Sequence, residues 1–189
     1  MSAEMIDMIL DDGSEKMDAA VARARKEFSG VRTGRANSSL VEKLKVDAYG
    51  VEMTMQELAS FAVPEARQLL ITAHDPQNVG AIEKAIQNSD LGLSPSNDGK
   101  VIRLVFPPLT EERRRELVRV VNNMAEEGKN RVRGVRRSAR KDLDDVEGEG
   151  GVSEDDIRGA TERLDKLTQT HEATIESARE AKETELLEV

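Results

Sequence analysis

The sequence predicts an α+β fold: an elongated three-helix bundle with a small β/α/β domain inserted between its first two helices. Three observations carry that expectation. Apolar residues recur at helical spacing over 5–31, 110–147 and 153–178. Between 44 and 106 that period gives way to short alternating or continuous apolar runs. The composition, 38 % hydrophobic, 34 % charged and only 2 % aromatic, suits long exposed helices better than one large core.

The first helix is read from the stripe Ile6, Leu10, Met17, Val21, Ala24, Phe28 and Val31. Steps of three and four, or their sums, place these side chains on one face. Leu44 to Tyr49 then alternates, and Tyr49-Gly50 reads as a turn. Gln68 to Ala73 is a short apolar run, and Asn78 to Asn88 is one short helix with Val79, Ile82 and Ile86. Val101 to Phe106 is a further strand, preceded by the turn signal Asn97-Asp98-Gly99. Pro107 and Pro108 lead to Thr110-Glu111-Glu112, a helix start. The second long helix carries Leu117, Val121, Met124, Val132, Val135, Ala139, Leu143 and Val146. It breaks at Gly148, Gly150 and Gly151. Ser153 caps the third, with Asp155 and Asp156 in the favourable first turn. Its stripe is Ile157, Ala160, Leu164, Leu167, His171, Ile175 and Ala178. Three helices with single narrow stripes bury them against one another. The expected domains are 1–30 with 107–189, the bundle, and 31–106, the insertion. The chain crosses between them at Gly30-Val31 and at Phe106-Pro107-Pro108, which are the expected hinges.

Charge is unevenly divided. The net charge is −9, yet residues 110–141 hold 11 basic and 5 acidic side chains, net +6, while 142–189 hold 5 and 16, net −11. From Lys129 to Lys141 no acid intervenes. At about 100° per residue, Lys129, Arg133, Arg136 and Arg140 fall within roughly a 60° arc beside the apolar stripe. Arg113, Arg114 and Arg115 form a second cluster near the start of that helix. Two readings stay open on these grounds. The acidic third helix neutralises the row, or the row faces an RNA backbone, for which the planar arginine fork is suited. With one Tyr, three Phe and no Trp, the chain lacks the aromatic platforms that stacking on splayed bases needs, and structured RNA is the better fit.

Other classes are disfavoured. The chain has no cysteine, so disulfides and thiolate chemistry are excluded. His74 reads as a loop residue and His171 as a core-edge residue, and no metal site is expected. No Walker, GxGxxG, HExxH or GxSxG motif occurs. No catalytic residue and no cofactor are expected. No apolar run approaches a membrane span, and the acidic start lacks the cationic pattern of a targeting peptide. A cytoplasmic monomer without membrane contact is expected.

Several motifs together resemble the bacterial ribosome recycling factors. They are Val31-Arg32-Thr33-Gly34-Arg35-Ala36-Asn37, Lys84-Ala85-Ile86-Gln87-Asn88-Ser89-Asp90-Leu91-Gly92, Pro107-Pro108-Leu109-Thr110-Glu111-Glu112-Arg113-Arg114, Val132-Arg133-Gly134-Val135-Arg136-Arg137 and Lys182-Glu183-Thr184-Glu185-Leu186-Leu187-Glu188. They stand in the family's order and cover nearly the whole chain. The resemblance implies an L-shaped two-domain protein that acts after translation termination. It implies binding to the large ribosomal subunit and its RNA, and subunit splitting with elongation factor G and GTP. Arg133, Arg136 and Arg137 would contact the RNA, with Lys129, Arg140, Arg113 and Arg114 beside them. Arg32 and Arg35 would serve RNA contact or the domain junction. Gly134 departs from the asparagine common in the family, and Ser38-Ser39 from the proline often found there. A helical adaptor that binds proteins is the competing reading, separable by salt-sensitive co-sedimentation with ribosomes. An unrecognised hydrolase lacks any nameable nucleophile and base.

Overall fold

Ile6, Leu10, Met17, Val21, Ala24 and Phe28 lie on one side of helix α1, Ser2–Ser29, and all six are buried. The computed structural model describes residues 2–150 and 152–188; Met1, Gly151 and Val189 lie outside them. Val31, expected as the last member of the stripe, is buried but lies beyond the helix, which ends at Ser29. Helix α4, Glu111–Gly148, and helix α5, Glu154–Leu187, complete the helical unit. At 1.5 Å per residue, the 38 residues of α4 run about 57 Å. Ser153 caps α5 as expected, accepting the Asp156 N–H at 3.2 Å.

The chain divides into Met1–Val31 with Glu112–Glu188, the helical unit, and Arg32–Glu111, the smaller unit. Val31 thus belongs with the helices, and residues 107–111 belong with the smaller unit.

Two stripes differ from expectation. On α4 the buried residues are Val121, Ala125, Gly128, Val132, Ala139 and Leu143, whereas Leu117, Met124, Val135 and Val146 are only half-buried. Small side chains replace larger ones where α4 comes close to α1 and to the Ile175 side chain of α5. A Cβ on Gly128 would stand 3.1 Å from the Ala24 Cβ of α1 and 3.3 Å from the Ile175 Cδ1 of α5. On α5, Thr168 is buried while Leu167 is half-buried. Burial costs Thr168 little, since its hydroxyl donates to the Leu164 carbonyl at 2.9 Å.

The smaller unit has more strands than the sequence predicts. β1 (Lys45–Ala48) and β2 (Val51–Thr54) form an antiparallel hairpin. Its turn is the expected Tyr49-Gly50, where both residues take positive φ, 53° and 77°. A one-turn helix, α2 (Met55–Leu58), leads into β3 (Ala59–Glu65) and β4 (Gln68–Ala73). Helix α3 (Val79–Gln87) precedes β5 (Pro95–Asn97) and β6 (Val101–Val105). These four strands form one antiparallel sheet in the order β3-β4-β6-β5. Leu69 and Ile71 of β4 and Ile102 and Leu104 of β6 alternate inward, beneath Ile82 and Ile86 of α3. β2, β3 and β5 show no such alternation. β5 is three residues long, and β3 contains Pro64 and is buried only at Ala59. They are partnered on one side at most by the main sheet, where burial demands little of sequence.

Gly34 joins the two chain segments that enter and leave this unit. Its φ is +77°, and a Cβ there would lie 3.4 Å from Leu109 Cγ and 3.6 Å from the Pro107 carbonyl oxygen. Both the conformation and the close approach call for glycine at this position of the Val31–Asn37 motif.

Candidate nucleic-acid interface

Residues flanking the buried stripe of a helix meet the neighbouring helix, and residues opposite it meet solvent. The α4 cations divide along this line. Lys129 Nζ lies 2.6 Å from Glu176 and 3.2 Å from Glu126, and its side chain is only 16 % exposed. Glu176 chiefly, with Glu126, raises the Lys129 pKa above the ordinary lysine value. Arg133 Nε donates to Glu172 at 2.6 Å, and Arg136 Nε to Asp165 at 2.7 Å. Arg140 bonds Thr161 and pairs with Asp144 at 2.9 Å. The acidic third helix therefore neutralises much of the row that the sequence singles out. Lys129 is nearly enclosed, whereas Arg133 and Arg136 remain 46 % and 43 % exposed.

Arg137 differs. It is exposed and has no hydrogen-bond or ion-pair partner among the described residues, and the same holds for Lys141 and Arg119. At 100° per residue these three lie within about 40° of one another and roughly 150–170° from the middle of the buried stripe. The sequence reading named Arg137 but passed over Arg119, and it placed Lys141 only as the end of the acid-free stretch. Measuring angle from the stripe, rather than the clustering of cations with one another, would have found this face.

The remaining candidates are dispersed. Arg113 pairs with Glu116 at 2.8 Å in the first turn of α4. Arg114 is half-buried, and its Nε has no acceptor among the described residues. Arg32 is exposed and Arg35 half-buried, both in the smaller unit. Of the hinge candidates, Gly30 and Val31 close the last turn of α1, their N–H groups donating to the Glu27 and Phe28 carbonyls at 3.2 and 3.1 Å. Phe106 is buried in the core of the smaller unit, and its N–H donates to the Arg67 carbonyl at 2.8 Å. Pro107 and Pro108 are exposed.

Neither histidine joins this surface. His74 is exposed after β4, and His171 is buried at 8 %, with Nε2 3.0 Å from Asp18 and Nδ1 2.6 Å from the Leu167 carbonyl oxygen. Among the described residues no group of three or more His, Cys, Asp or Glu is placed to hold a metal ion. No described helix is long and apolar enough to cross a membrane.

A family model described as ribosome recycling factor matches residues 24–187. The chain belongs to the ribosome recycling factor family. A ribosome-recycling factor of Renibacterium salmoninarum is 51 % identical over 185 residues, covering 98 % of this chain and 100 % of that protein. One from Rubrobacter xylanophilus is 49 % identical over 186 residues, with the same coverage of 98 % and 100 %. Among solved structures, the solution structure of a ribosome recycling factor aligns with a TM-score of 0.74 at 43 % identity, over 97 % of this chain and 98 % of that one. A chain from models of the T. thermophilus ribosome recycling factor and the E. coli elongation factor G bound to the E. coli post-termination complex aligns at 0.64 and 37 % identity, over 96 % and 98 %. Membership of the ribosome recycling factor family agrees with the three long helices and the small sheet-bearing unit described above.

The ion pairs that hold the helices together carry a pH dependence. Arg131 bonds Glu27 of α1 at 3.2 and 3.3 Å, and this contact, aided by Arg23, lowers the Glu27 pKa below the ordinary 4.5. Lys129 and then Arg179 lower that of Glu176 in the same way. A carboxyl with a depressed folded pKa stabilises the fold fully above its unfolded pKa, and this is lost as pH falls through the folded value. The helical unit is therefore expected to lose urea resistance below about pH 4.5. The pair Glu27→Gln and Glu176→Gln should be less stable at neutral pH and show a shallower acid loss. An acid loss as steep as that of the unaltered protein would show that these two carboxylates do not carry it.

Proposed function

We propose that this protein binds the post-termination ribosome through α4, on the RNA of the large subunit, and with elongation factor G and GTP splits the subunits and frees the mRNA. The observation that carries the reading is the near full-length match to ribosome-recycling factors, 51 % identical over 98 % of the chain. The open face of Arg119, Arg137 and Lys141 supports RNA contact, since among the described residues these cations are in no ion pair that a phosphate would have to displace. Arg133 and Arg136 flank that face and keep part of their guanidinium surface open. Arg140, Arg113 and Arg114 support it, and Lys129 contributes chiefly to helix packing.

The protein acts mechanically in this reading. It carries no Walker motif, and the energy of GTP hydrolysis belongs to its partner. The helical unit stays on RNA while elongation factor G displaces the smaller unit. Val31 and Phe106 are anchored in their own units, so rotation falls to bonds near Arg32 and near Thr110, with the prolines restricting their own segment.

The test is breakdown of polysomes to subunits with the protein, elongation factor G and GTP, each omitted in turn. Subunits are expected only with all three present. Splitting without added GTP, or no splitting with all three, would refute the function.

A further inference from the structure

The α5 carboxylates that pair with the α4 cations are themselves regularly placed. Asp165, Glu172 and Glu176 are spaced by seven and four residues, which brings them within about 40° of arc on one face of α5. Each faces a different cation: Arg136 at 2.7 Å, Arg133 at 2.6 Å and Lys129 at 2.6 Å. Lys129 is shielded, at 16 % exposed, but at Arg136–Asp165 both side chains are open, 43 % and 42 % exposed. The two arginine contacts have the same form. Nε of each guanidinium donates to the carboxylate, and Arg133 uses one further nitrogen to reach Asn130 Oδ1 at 3.3 Å. A guanidinium presents five N–H groups in a rigid fork. Donation from Nε therefore leaves terminal N–H groups of these partly exposed side chains available to a phosphate, while a carboxylate of like charge stays within a few ångströms of that phosphate.

We propose that Asp165 and Glu172 are specificity-determining residues that compete with phosphate for Arg136 and Arg133 and so suppress binding to irregular RNA. This inference rests on the RNA-binding reading of α4. A single mobile phosphate gains one edge of a guanidinium and meets a carboxylate that repels it. A rigid RNA surface, which also sets phosphates over Arg137 and Lys141, meets the same repulsion with more contacts to offset it. Selectivity is a difference of affinities, and a repulsive element that falls harder on the weaker competitor enlarges the difference. Without the carboxylates, a helix with an acid-free cationic stretch would hold any polyanion.

The test is the double variant Asp165→Asn, Glu172→Gln. Both replacements keep an oxygen that accepts from the arginine Nε and remove only the charge. Binding to poly(U) and to purified large ribosomal subunits is measured across a salt series. Affinity for poly(U) is expected to rise about tenfold at low salt, with a salt slope steeper by roughly 1.4, twice the single-strand value of about 0.7 per phosphate. Affinity for the large subunit should rise less, so that the ratio between the two falls. Unchanged poly(U) affinity in a natively helical variant would overturn the proposal, and so would weaker binding to both, which would make the acids mere supports for the arginines. An equal gain on both would also overturn it, as a charge effect without selectivity. Asp165→Asn alone, at a half-exposed position, should move poly(U) binding in the same direction by a smaller factor, and it serves if the double variant folds poorly. Failure of the unaltered protein to bind large subunits would instead refute the RNA-binding reading, and the poly(U) result would still judge the competition.

Discussion

Gly128→Leu is expected to unfold the helical unit at a temperature on the order of 10 °C lower than the unaltered protein. Gly128 is buried in the middle of α4, where a Cβ alone would approach Ala24 Cβ to 3.1 Å and Ile175 Cδ1 to 3.3 Å. Isoleucine can turn part of its side chain aside. Ala24 cannot, because its Cβ is fixed to the α1 backbone, so α1 itself must shift. Overpacking of this kind costs about 1–3 kcal/mol and more where a backbone moves, against about 1 kcal/mol gained by removing a helical glycine. Gly134 supplies an internal control in the same helix. A Cβ there meets nothing nearer than an Arg137 terminal nitrogen at 3.9 Å. Gly134→Ala should therefore stabilise by about 1 kcal/mol. Thermal unfolding followed by helical circular dichroism checks both. Equal midpoints for Gly128→Leu and the unaltered protein would show that the three helices do not meet at Gly128 as closely as described.

The second large effect concerns affinity. Arg137→Glu combined with Lys141→Glu should weaken binding to large ribosomal subunits about 100-fold or more, because a charged hydrogen bond contributes about 1.5–3 kcal/mol and two are lost. The slope of log affinity on log salt should flatten by roughly 2, at somewhat under 1 per phosphate contact. Both residues are exposed and unpaired among the described residues, so the helical dichroism should not change. Lys129→Gln gives the opposite profile. Its side chain is 16 % exposed and held between Glu176 and Glu126, so stability should fall while binding changes little. Full binding by the double reversal at physiological salt would remove the outward face of α4 from the RNA contact.

Helix existence, the α1 stripe and most of the α5 stripe are readable because burial repeats locally along a helix. Ile6, Leu10, Met17, Val21, Ala24 and Phe28 announce α1 by spacing alone, and Ile157, Ala160, Leu164 and Ile175 do the same for α5. Ser153 marks the start of α5, and Asn97-Asp98-Gly99 the turn into β6, through chemistry contained within a few residues. β2, β3 and β5 were missed for the complementary reason. Strands that bury little need no alternating pattern, and their pairing depends on segments elsewhere in the chain.

The sequence by itself determined that a cationic stretch, residues 110–141 at net +6, is followed by an anionic one, 142–189 at net −11, because charge is a property of residues. Only the tertiary structure decided which cations the acids take. Arg133 meets Glu172 from 39 positions away, and Arg136 meets Asp165 from 29. Those pairs depend on which faces of α4 and α5 lie together, and Gly128, where α4 approaches Ala24 and Ile175, has no side chain to appear in any apolar pattern. The same packing turned Lys129 from a candidate contact into a seam residue and left Arg137 facing solvent, because a helix of one residue period presents flank and back only once its buried side is known.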